Sequence, residues 1–162
     1  MSGLDGRTVS LREVRWSDLP VFFEHQQDPV ATHMAAFTSK DPADREAFDA
    51  HWTKILSDEA ITMRTIVVDE EVAGHIGSFP LDGKPNVTYW VGREYWGKGL
   101  ATCALREFLS DVQTRPMYAG AAKDNVPSLR VLEKCGFRVI REEKGFANAR
   151  REEIEELILE LK

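Results

Sequence analysis

The sequence predicts an α/β domain in which a single mixed, mostly antiparallel central sheet is flanked by helices. Three observations carry that expectation. Consecutive β-rich runs joined by short turns fill the middle of the chain. Two helical patterns then alternate with strand patterns toward the C-terminus. No linker divides the 162 residues, so 1–162 are expected to form one domain.

The elements follow in order. RTVSLREV (7–14) alternates and reads as a strand. WSDLPVFFEHQQ reads as a helix, with Ser17 or Asp18 as cap and Pro20 near its start. DPVATHMAAF has no clear period and reads as a loop or short helix. SKDPADREAFDAHWTKIL predicts a helix capped by Asp41, with Pro42 in its first turn and Phe48, Trp52 and Ile55 on one face. AITMRTIVVD and EVAGHIGSF predict a hairpin turning at Asp69, Glu70 and Glu71. PLDGKPN reads as a turn cluster, and VTYWVG as the next strand, leading into a glycine loop.

Leu100, Ala101, Ala104, Leu105, Phe108, Leu109 and Val112 recur at helical spacing after that loop. MYAGAA is a short buried strand. DNVPSLRVLEKCGF is a helix capped by Asn125, with Pro127 in the first turn and Gly136 past its end. FRVIREE and IEELILEL are the closing strands, with GFANARRE as the turn or loop between them.

Composition excludes some classes. Hydrophobic content of 43% and charged content of 30% are those of an ordinary globular protein. A formal net charge of −6 argues against nucleic acid as a partner and suits a cationic one. Cys103 and Cys135 form neither a disulfide framework nor a zinc motif, so free thiols in a reducing cytoplasm are expected. The first ten residues carry no apolar leader run, and no apolar run of membrane-spanning length follows, so no membrane partner is expected. Oligomeric state is not legible, and a homodimer stays open.

The glycine loop YWVGREYWGKGLATCALREFL (89–109) has the character of a phosphate site. Gly92–Gly99 matches seven positions of the nucleoside-triphosphate loop, but Gly99 stands where a magnesium-binding hydroxyl is required. The dinucleotide pattern lacks its third glycine, because Thr102 replaces it, and also lacks the distal acidic residue. What remains is a strand, a turn eased by glycine and a helix whose free N–H groups suit a diphosphate. Taken alone, Gly97 and Gly99 could equally shape a tight turn.

YWVGREYWGKGLATCAL followed by NVPSLRVLEKCGF resembles the coenzyme A-dependent N-acyltransferases of the GNAT superfamily, and is most similar to the RimJ/RimL-like branch. The family's motif Q/R-x-x-G-x-G/A aligns with Glu94–Gly99. Its N-x-x-S…E-K-x-G-F aligns with Asn125, Ser128, Glu133, Lys134, Gly136 and Phe137. Three positions depart from the family. Glu94 replaces Gln or Arg, Leu132 stands where many relatives carry a tyrosine acid, and the strand glutamate of many relatives falls near Asn86.

The resemblance implies an acetyl-CoA-dependent N-acetyltransferase with no metal. Its acceptor would be a primary amine, either a protein N-terminus or a small cationic amine. The same scaffold could instead serve as a non-catalytic acyl-CoA-binding or sensor module. The backbone of Tyr89, Trp90 and Val91 would pair with the pantetheine arm, and a backbone N–H near Val91 would meet the oxyanion. The turn of Trp96, Gly97, Lys98, Gly99, Leu100, Ala101 and Thr102 would take the diphosphate. Asn125 would bond the pantetheine, and Lys98 and Arg93 could add charge. Ser128 would protonate or orient the leaving thiolate. Base candidates are His75, first, and then His33, Glu24 and Asp82. Residues 16–56 would line the acceptor pocket. Cys135 and the four tryptophans (Trp16, Trp52, Trp90 and Trp96) read mainly as packing, with Trp96 able to cover the cofactor.

Overall fold

The computed structural model describes residues 3–4 and 7–162. The leaderless reading of the N-terminus falls partly on Met1, Ser2, Asp5 and Gly6, which lie outside the described residues. The strands are β1 (Gly3–Leu4), β2 (Arg7–Glu13), β3 (Thr62–Val68), β4 (Glu71–Leu81), β5 (Lys84–Val91), β6 (Met117–Ala122), β7 (Arg138–Ala147) and β8 (Glu152–Leu161). The helices are α1 (Leu19–Gln26), α2 (Pro29–Ala35), α3 (Arg45–Ser57), α4 (Leu100–Asp111) and α5 (Val126–Lys134).

All eight strands form one sheet in the order β1-β2-β3-β4-β5-β6-β8-β7. Every described pairing is antiparallel except β5–β6. That parallel pair shares a single register position, Asn86 with Tyr118. Beyond it the two strands part.

Helices cover both faces. On one, α4 and α5 bury Leu105, Phe108 and Leu132 against Ile66, Ile76, Met117 and Leu159. On the other, α1 and α3 bring Leu19, Phe22, Phe48 and Trp52 onto Met63. Each such Leu or Phe contributes about 1.5–3 kcal/mol by leaving water. Where α1 begins, Asp18 is 2% exposed and fully bonded. It accepts two bonds from Arg12, one from Thr65 Oγ1 at 2.7 Å and one from the Arg15 N–H at 2.9 Å.

Some boundaries differ from the sequence reading. α3 is capped by Asp44, which accepts from the Ala47 N–H at 3.0 Å, and not by Asp41. Asp41 accepts from the Ala43 N–H instead, closing a separate turn before the helix. The expected turn cluster PLDGKPN narrows to Asp82 and Gly83, because β4 and β5 continue past Pro80 and Pro85. Those prolines sit opposite each other, where strand pairing exchanges no backbone N–H and their missing donors cost nothing. β7 likewise runs on to Ala147, through the first three residues of the expected loop.

Candidate functional site

The parting of β5 from β6 opens a groove of about 550 Å³. Tyr89, Trp90 and Val91 form its strand wall, and their β6-facing edge has no strand partner. The start of α4 and the start of α5 close one side. Ala31, Met34 and Ala35 of α2 close the other. Of the residues expected to hold the cofactor, Trp96, Gly97, Gly99, Leu100, Ala101, Thr102, Asn125 and Ser128 also line this groove. Lys98 belongs to the same turn but is not among the residues lining the groove.

The turn before α4 shows why glycine stands there. Gly97 and Gly99 have φ of 76° and 70°, a region that costs residues with a Cβ about 1–2 kcal/mol. Gly99 is the N-cap, and no side chain caps the helix. The first-turn N–H groups of α4 therefore have no intrahelical acceptor, and the positive end of the helix dipole meets the groove. Trp96 is 40% exposed at the rim, with its indole N–H donating to the Val91 carbonyl at 2.9 Å.

Across the groove, Asn125 accepts from the Ser128 N–H at 3.4 Å and so caps α5. Ser128 Oγ lies 2.8 Å from the Tyr89 hydroxyl. Burial pushes the Tyr89 phenol up to about 12, partly offset by the Ser128 hydrogen bond. Leu132, at the position of the relatives' tyrosine, is 1% exposed inside the core.

The base candidates are dispersed. His75 pairs in register with Trp90 but packs between the rings of Phe22 and Trp52, with centroids 4.8 and 5.0 Å away. Burial drives its pKa down to about 3, helped by His25 and His51, so it is neutral at physiological pH. His75 Nδ1 and Trp90 Nε1 are both buried without a partner. His33 offers its carbonyl to Arg150 Nε at 2.8 Å. Glu24 is an exposed residue of α1. Asp82 sits at the β4–β5 hairpin tip, the full length of β5 from the groove end, or roughly 25 Å. Arg93, expected near phosphate, is paired with Asp28 at 3.0 Å. The Gly92 N–H donates to the Ala73 carbonyl at 2.9 Å and is not free for an oxyanion.

The sequence reading gave the ligand no cation from α5. Arg130 and Lys134 line the groove from that helix, and their i, i+4 spacing was a legible signal for two cations on one helix face. Outside the groove lining, His25 carried no motif. Its Nε2 lies 2.7 Å from where a Cβ at Gly92 would stand, so only glycine lets α1 approach the end of β5 so closely. It is 4.0 Å from Glu94, and burial lowers its pKa against the opposing pull of Glu94 and Glu24. Among the described residues, no three His, Cys, Asp or Glu side chains are grouped to hold a metal.

A strand with an open edge, a glycine turn and an uncapped helix start meet where two parallel strands part, an arrangement that an extended ligand bearing phosphate would fit. The family model for the acetyltransferase (GNAT) domain matches residues 8–138. The chain belongs to that family and is an acyl-CoA-dependent acetyltransferase. It is 26% identical over 149 residues to the uncharacterized N-acetyltransferase p20 of Bacillus licheniformis, covering 85% of this chain and 83% of that one. Its fold is similar to that of Mycobacterium smegmatis RimJ in complex with CoA-disulfide, with a TM-score of 0.78 and 22% identity over 94% of this chain and 81% of that one. It is also similar in fold to spermidine N-acetyltransferase from Vibrio cholerae in complex with CoA and spermine, with a TM-score of 0.76 and 16% identity over 94% and 95% of the two chains. No helix among the described residues is long and apolar enough to cross a membrane.

Proposed function

We propose that this protein transfers an acetyl group from acetyl-CoA to a primary amine, a protein N-terminus or a small cationic amine, by direct attack in a ternary complex. The observation that carries this is the uncapped N-terminus of α4 opening onto the same groove as the free edge of β5. The helix start takes the diphosphate, and the strand edge of Tyr89, Trp90 and Val91 takes the pantetheine amides. Asn125 adds a bond further along the arm. Bound acetyl-CoA supplies the activated thioester, and holding the amine beside it replaces a bimolecular encounter by an intramolecular one.

The acceptor's ammonium must lose a proton before it attacks, because lysine-like amines ionise near 10.4. His75 is too weak a base for that at neutral pH and serves as a neutral packing group between Phe22 and Trp52. Water takes the proton in this reading. The net charge of −6 suits a cationic acceptor. Cys103 and Cys135 are both free, which suits the reducing cytoplasm.

A second reading, binding without turnover, has one observation in its favour: the buried Leu132 in place of the relatives' tyrosine. Calorimetric titration with acetyl-CoA, followed by thiol release over a panel including spermidine and a peptide with a free N-terminus, separates the two. Saturable binding with amine-dependent thiol release is expected. Binding with no turnover on any amine supports the second reading, and no binding rejects both.

A further inference from the structure

Tyr89 reaches from β5 toward the first turn of α5, where its hydroxyl meets Ser128 Oγ at 2.8 Å on the wall of the groove. We propose that Tyr89 is a positioning residue for the leaving thiolate: its hydroxyl donates to Ser128 Oγ and turns the serine O–H toward the sulfur of bound coenzyme A. The inference rests on the acetyl-CoA reading above.

Three observations support it. The helix position that carries a tyrosine in many relatives holds Leu132, 1% exposed and without a polar atom to offer. Tyr89 brings a phenol to the same helix from the neighbouring strand instead.

The second is the pairing itself: either hydroxyl could donate in this contact, and we assign the donor to Tyr89. Tyr89 has two acceptors within reach, Ser128 Oγ at 2.8 Å and the Ser128 carbonyl at 3.4 Å. The shorter contact is the better acceptor. A serine hydroxyl that accepts from Tyr89 keeps its own hydrogen to donate elsewhere. The Asn125 cap fixes the Ser128 backbone, so that hydrogen has the groove as its open direction.

The third is the strength of the acid. Burial holds the Tyr89 phenol near 12, whereas an ordinary thiol ionises at about 8.5. The proton therefore stays on Tyr89, and the pair acts by hydrogen-bond donation. As the amine nitrogen forms its bond to the carbonyl carbon and the C–S bond breaks, the electron pair passes to sulfur. Ser128 O–H bears on that charge, the proton from nitrogen goes to water, and the released thiolate is later protonated by water.

The test uses CoA alone as the probe and needs no knowledge of the amine. The ultraviolet absorbance of the thiolate is followed against pH for CoA held at saturation by wild type, Tyr89→Phe, Ser128→Ala and the double variant. The bound thiol should ionise below free CoA in the wild type. Each single substitution should raise that ionisation by about one pH unit, a tenfold change in the constant, and the double variant should add nothing further. An unchanged ionisation in Tyr89→Phe, or additive effects, overturns the inference. Should Tyr89→Phe fail to fold, Ser128→Ala on the partly exposed helix face carries the test alone, and no change there overturns it. Wild type that binds no CoA overturns the acetyl-CoA reading itself.

Discussion

Arg150 grips Asp124 with both ends of its guanidinium, at 2.7 and 2.9 Å, and spends its Nε on the His33 carbonyl at 2.8 Å. One side chain, 8% exposed, thus ties the turn between β7 and β8 to α2 and to the residue preceding the α5 cap. Both walls of the groove hang on it. Arg150→Ala should lower stability by about 1.5–3 kcal/mol, the range for hydrogen bonds to charged groups, and weaken acetyl-CoA binding severalfold. Arg150→Lys keeps the charge but not the fork and should recover only part of the affinity. Denaturant melts and calorimetry check both, and unchanged affinity in Arg150→Ala rejects the link.

Asp18 makes folding sensitive to acid. Burial pushes its carboxyl pKa up, but hydrogen bonds from Arg12, Thr65 and the Arg15 N–H outweigh this and hold it below the ordinary 3.8. Because the folded pKa is the lower one, the unfolded chain binds the proton first as pH falls. The stabilisation is therefore complete above 3.8 and is lost as pH falls through the lower folded value. Asp18→Asn should remove that part of the acid slope. It should also cost about 3–5 kcal/mol at neutral pH by leaving Arg12 without its buried partner. Urea melts at neutral pH measure the second effect, and melts at several pH values below about 5 measure the first.

Gly97 and Gly83 make a matched pair. Their φ values are 76° and 75°, and a Cβ at either meets no protein atom within 4 Å. Alanine at each should cost a similar 1–2 kcal/mol of backbone strain, roughly. Only Gly97 lines the groove, so only Gly97→Ala should weaken acetyl-CoA binding, by about tenfold or more. Equal affinity in the two variants would show that the turn is merely a turn.

Local features of the site were legible in the sequence because they obey local rules. A non-strained backbone at Gly97 and Gly99 requires glycine, and Asn125 three residues before Ser128 announces a cap. What depends on distant packing was not legible. Tyr89 and Ser128 are 39 residues apart, and only the sheet and α5 bring their oxygens together. His75 alternates correctly for a strand, but the chain did not reveal that Phe22 and Trp52 would enclose it. Residues of α2 wall the groove although their segment has no readable period. The choice between Asp41 and Asp44 as cap turned on which N–H each side chain reached, since both residues are good caps.

Trp96 offers an optical reading of the groove. Its indole donates to the Val91 carbonyl at the rim, so a ligand pairing with the end of β5 must alter its surroundings. Acetyl-CoA should change the intrinsic fluorescence, and Trp96→Phe should remove most of the change. A full signal surviving in Trp96→Phe would assign it to Trp90 instead.

The central claim is that main-chain N–H groups at the start of α4 hold the diphosphate. Titrating nitrogen-labelled protein with CoA tests it by following backbone amide resonances. The account predicts that Gly99, Leu100 and Ala101 shift most and saturate together with calorimetric binding. Saturating CoA that leaves those three amides in place while shifting others would contradict it.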